Sequence, residues 1–156
     1  TIKQTERNIM ARKRVSQKEL AETLVATLKK WQKIEDKSIS SIKGSMKQLK
    51  NPLVKQIFQI IAHDSAMHRK VQQFIIDTLE KKAITLTPED VAEIGTILES
   101  HIELEKETVE LGAVAKASSK NFIHQYLINY LLVDERKHDD LLEQLGNIKD
   151  KIYPYA

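Results

Sequence analysis

Apolar residues recur at helical spacing in four long stretches of the chain. In the first, Leu24, Leu28, Trp31, Glu35, Ile39 and Ile42 step by three or four, the spacing of one helix face. In the second, Ile57, Ile61, Asp64, His68, Val71 and Ile75 alternate steps of four and three. The third carries Ile94, Leu98, His101, Glu105 and Val109, and the fourth Leu127, Leu131, Asp134, His138, Leu141 and Leu145. Punctuation fits this division. Ser16-Gln17-Lys18-Glu19 reads as a capping box, in which hydroxyl and carboxylate each satisfy an orphan helix N–H. Asn51-Pro52 and Thr87-Pro88-Glu89-Asp90 are further starts, each with Pro at the first helical position. Lys81 and Lys82 suit the negative end of the second helix, and Ser118-Ser119 marks a turn before the fourth. The pattern predicts an all-α fold, an antiparallel four-helix bundle over 16–148, preceded by a basic N-terminal arm (1–15) and followed by a C-terminal tail (149–156).

The two halves repeat each other at an offset of 70 residues. Glu35 falls on Glu105, Asp64 on Asp134 and His68 on His138, and apolar positions follow, Leu28 on Leu98 and Ile61 on Leu131 among them. The bundle is therefore expected as two helical hairpins of one design. Facing each other with pseudo-twofold symmetry, they would bring equivalent polar residues to one central point. Those polar residues interrupt apolar stripes: Glu135 and His138 sit between Leu131 and Leu142, and Asp64 and His68 between Ile61 and Val71. An ionised carboxylate on a core face is costly unless paired or bound to a metal. Glu35, Asp64, Glu105 and Glu135 together match two divalent cations in charge, and His68 and His138 add neutral nitrogen donors. Carboxylate with imidazole suits iron or manganese.

Composition narrows the chemistry. The chain has 156 residues, 41% apolar and 30% charged, with four Gly and three Pro, as long uninterrupted helices require. It has no cysteine, which excludes disulfides, cysteine zinc sites, iron–sulfur clusters and a thiol nucleophile. The net charge of +3 is too mild to indicate nucleic acid; only the arm, with Lys3, Arg7, Arg12, Lys13 and Arg14, favours an acidic partner. With no apolar run of membrane-spanning length and no visible signal peptide, a cytoplasmic protein is expected.

Glu35, the run Ile61-Ala62-His63-Asp64-Ser65-Ala66-Met67-His68, the run His101-Ile102-Glu103-Leu104-Glu105 and the run Asp134-Glu135-Arg136-Lys137-His138 resemble the ferritin-like superfamily, especially its rubrerythrin-like branch. The resemblance covers roughly residues 16–148. It implies a di-iron carboxylate site, two iron ions with manganese or a single metal as alternatives, held by Glu35, Asp64, His68, Glu105, Glu135 and His138. It implies an oxidoreductase in which Fe(II) reacts with peroxide or dioxygen, as a peroxidase or ferroxidase, with electrons from a separate donor or from free Fe(II). The first Glu of the family's paired Glu-x-x-His motifs falls on Ser65, so Asp64, one residue earlier, is the candidate substitute. His101, Asp134 and Tyr130 are candidates for an extra ligand or an outer position. Ser65 also favours the alternative, a metal-depleted bundle acting as a structural or partner-binding module.

Topology bears on partners. About six residues, 83–88, join helices of about thirty. Such a helix is roughly 45 Å long, and six extended residues reach only about 20 Å. A long crossover cannot be made within one chain. The chain either runs up-down-up-down or exchanges hairpins in a homodimer, and a homodimer is expected.

Overall fold

A computed structural model describes residues 16–152. The arm 1–15, with its expected acidic partner, and residues 153–156 lie outside the described residues. The fold is all-α, with four long helices and no strand among the described residues, as expected for a four-helix fold: α1 (Gln17–Met46), α2 (Pro52–Glu80), α3 (Pro88–Ala117) and α4 (Phe122–Ile152). α4 runs four residues beyond the boundary expected at 148, because nothing before Pro154 breaks it and Lys149 and Lys151 complement its negative end.

The helix starts are built as their sequences dictate. Ser16 and Glu19 form a reciprocal capping box on α1, and Thr87 and Asp90 another on α3. Asn51 accepts from the N–H groups of Leu53 and Val54 at 2.9 and 3.2 Å. Asn121 does the same for Ile123 and His124, also at 2.9 and 3.2 Å. This fourth cap is Asn51 repeated 70 residues later.

The chain divides into two compact units at the Ala83–Ile84 junction, each a hairpin of two packed helices. In the first, pairings run in opposite senses along the two helices. Lys29 meets Glu80 at 2.8 Å, Gln32 donates to Gln73 at 3.1 Å, Asp36 meets Arg69 at 2.7 Å and Ser38 meets Ser65 at 3.4 Å. α1 and α2 are therefore antiparallel. In the second, Glu105 pairs with His138 and Lys116 with Asn129 in the same falling register.

The buried seam of the first hairpin comprises Leu28, Gln32, Glu35 and Ile42 from α1 with Ser65, Gln72 and Ile76 from α2. On α1 this follows the expected stripe in part, with Leu24 and Trp31 exposed. On α2 it lies one residue over from the stripe through Ile61, Asp64, His68 and Val71, a rotation of about 100°. Ile61, Met67, Val71 and Phe74 are exposed instead. In the second hairpin Leu98 and Leu132 are the buried apolar pair, and Gly112 lets the helices close: a methyl carbon added there would lie 2.5 Å from Leu132 Cδ2.

Candidate metal centre

Glu135 and His138 are three apart on α4 and so share a face. α3 brings Glu105 to the same place from across the seam. His138 Nδ1 lies 3.3 Å from Glu135 Oε2 and 3.7 Å from Glu105 Oε1. One donor atom from each of the three residues falls within 4.8 Å of the other two, and no other such carboxylate–imidazole group occurs among the described residues. The three donors would have to draw together to hold one ion.

The electrostatics are those of a site wanting a positive charge. Glu105 Oε2 is buried with no hydrogen-bond partner. Burial raises the Glu105 carboxyl above its ordinary value, and the neighbouring Glu135 carboxylate raises it further, against the lowering influence of His138. A proton on the Glu105 carboxyl relieves this arrangement. So does a cation, which needs both ionised. His138 is only partly covered, which leaves a side open. There His101, one turn before Glu105 on α3, joins Glu105, His138, Leu141 and Leu142 in lining a groove of about 240 Å³. On the other flank, Glu135 borders an apolar groove of about 260 Å³ with Thr108, Gly112 and Leu132 among its walls.

The equivalent place in the first hairpin is poorer. His68 Nδ1 lies 3.4 Å from Glu35 Oε1, with Glu35 deeply buried and His68 largely exposed. Ser65 Oγ donates to Ser38 Oγ at 3.4 Å. Asp64 is paired with its neighbour His63, 3.6 Å away. Of the six expected ligands, the structure thus groups Glu105, Glu135 and His138, pairs Glu35 with His68, and sets Asp64 on His63. Asp134 is ion-paired with Lys137. Tyr130 is half-buried on α4. Ser38 was not expected at this seam. Its signal was the repeat, which sets Ser38 on Thr108, another hydroxyl beside the trio.

No protein-family model, no curated protein and no solved structure matches the chain.

Proposed function

We propose that the chain is a ferritin-like, iron-binding carboxylate protein, a non-haem oxidoreductase in which Fe(II) is oxidised by peroxide or dioxygen. The observation that carries the reading is the meeting of Glu105, Glu135 and His138 around a buried, partnerless carboxylate oxygen. Two carboxylates and an imidazole suit iron or manganese, and with no cysteine in the chain there is nothing for thiol-preferring metals. Glu105 and Glu135 supply the charge that balances a divalent ion, and His138 supplies a neutral nitrogen. Leu141 and Leu142 give the open groove apolar walls, and His101, which also lines it, is placed to give protons to a reduced oxidant. When bound, iron supplies the redox chemistry. Peroxide takes two electrons and two protons to become two waters. The electrons come from free Fe(II) or a separate donor, since a cysteine-free chain has no electron-transfer cluster of its own.

A cytoplasmic setting, where Fe(II) persists, suits this chemistry, and among the described residues no helix is long and apolar enough to cross a membrane. The partner we propose is a second copy of the chain. Each hairpin exposes apolar side chains at helical spacing, Leu20, Leu24, Trp31 and Ile34 on α1 and Ile97, Leu104 and Leu111 on α3, surfaces that a homodimer buries. Light scattering giving the mass of a single chain refutes the dimer.

The test is iron itself. The chain is loaded with Fe(II) without oxygen, its iron content is measured, and peroxide is added while ferric absorbance is followed. Iron is retained and oxidised faster than in buffer, and Glu135→Ala abolishes both. A parent chain that retains no iron overturns the reading. It would favour the alternative, a partner-binding bundle, which the serine at position 65 and the exposed apolar stripes support.

A further inference from the structure

Around the carboxylate–imidazole pair that the two hairpins share, the repeat keeps a hydroxyl at 38 and 108 and changes the third corner from hydroxyl to carboxylate. The repeat aligns Glu35 with Glu105, His68 with His138, Ser38 with Thr108 and Ser65 with Glu135. Two corners are kept in space as well as in sequence. Imidazole and carboxylate lie 3.4 Å apart in the first hairpin and 3.7 Å apart in the second. At the third corner the second hairpin has the Glu135 carboxylate, 3.3 Å from its imidazole. The first has the Ser65 hydroxyl, which is turned to Ser38 and 7% exposed.

We propose that the chain binds one divalent transition-metal ion, at Glu105, Glu135 and His138, and that Ser65 sets this stoichiometry by withholding the third donor from the first hairpin. The inference rests on the reading of the trio as a metal site and narrows it from the two ions that the family resemblance implies. Its basis is charge and donor number. The second hairpin offers three protein donors and two negative charges to a divalent ion. The first offers two donors and one charge, because a neutral hydroxyl replaces a carboxylate and the adjacent Asp64 faces His63. A hydroxyl pair needs no cation to satisfy it, whereas Glu105 Oε2 is left without a donor. Glu35 and His68 then act as a structural pair across the seam.

Manganese(II) is the probe, because its binding is read without turnover. The metal-free full chain is titrated with Mn(II), free ion is followed by electron paramagnetic resonance, and bound metal is measured after gel filtration. One tightly bound ion per chain is expected. Glu35→Gln keeps that ion, with affinity within about threefold of the parent. Glu135→Ala weakens it by at least tenfold, since even outer partners of a metal ligand are worth about 10- to 100-fold. Ser65→Glu raises the stoichiometry to two, and where that variant fails to fold by circular dichroism, Ser65→Asp takes its place. Two tight ions in the parent, or loss of the ion in Glu35→Gln, overturns the inference and leaves the proposed metal centre standing. A stoichiometry fixed at one in the folded Ser65 variants overturns the role of Ser65. No binding in the parent overturns both.

Discussion

Glu105 and Glu135 are two carboxylates on adjacent helices gathered around one imidazole, with the Glu105 carboxyl raised by burial and by its neighbour's charge. Without a cation that arrangement opposes folding at neutral pH, and with one it favours folding. Glu105→Gln keeps the shape and removes one charge. The metal-free variant is expected to melt at a higher temperature than the metal-free parent, and to lose the stabilisation that Mn(II) gives the parent. Paired melts with chelator and with Mn(II) check this. A variant less stable than the parent in chelator would show that the two carboxyls are not in conflict.

Gln72 is buried at 4% exposure, and neither amide atom has a hydrogen-bond partner. Leaving such groups unsatisfied costs about 1–3 kcal/mol. The repeat puts Leu142 at the corresponding place. Gln72→Leu is expected to stabilise the chain by about that amount, read as a higher urea midpoint with an unchanged slope. A lower midpoint would mean that the amide is satisfied in solution.

Acid should act on the helix starts. Glu19 is held below its ordinary value of 4.5 first by the Ser16 N–H and then by the Ser16 hydroxyl, and Asp90 below 3.8 by the same two groups of Thr87. A carboxylate whose folded pKa is depressed contributes stability that is fully present above its unfolded value. That contribution is lost as pH falls through the folded value. The melting temperature should therefore decline as pH falls below about 4.5, and less steeply in Glu19→Gln/Asp90→Asn. Parallel declines in parent and variant would place the acid-sensitive groups elsewhere.

The helix limits were largely legible because capping is local chemistry: Ser16, Asn51 and Thr87 each carry their partner within three residues. Asn121 has no following Pro to mark it, although the repeat points to it. The α2 seam was harder to read. Its buried positions include Ser65 and Gln72, which a search for apolar spacing passes over, while Ile61, Val71 and Phe74 look like core and are exposed. Of the candidate site, the trio was legible because Glu135 and His138 share a helix face and the repeat singles out Glu105. The position of Asp64 was not, because spacing alone cannot decide between a seam and the His63 beside it.

Gly112 sits seven residues, two turns, beyond Glu105 on α3, where the α3 backbone lies close against Leu132 of α4. Alanine there gains about 1 kcal/mol of helix propensity but places a carbon 2.5 Å from Leu132 Cδ2 and 3.3 Å from its Cγ. Overpacking of this kind costs about 1–3 kcal/mol. Cδ2 is the end of a flexible side chain, but Cγ is also crowded and Leu132 is buried, so its displacement strains the packing between α3 and α4. Gly112→Ala is therefore expected to lower stability and, by drawing Glu105 away from α4, to weaken Mn(II) binding. Leu132→Ala alone leaves a cavity costing about 2–5 kcal/mol. The double variant should be less destabilised than the sum of the two, with a coupling of about 0.5–3 kcal/mol. The repeat already contains a related exchange, with Ile42 and Ala62 at the places of Gly112 and Leu132, bulk moved from one helix to the other. Strict additivity in denaturant melts, together with unchanged Mn(II) affinity in Gly112→Ala, would show that the close approach at Gly112 does not hold Glu105 in place.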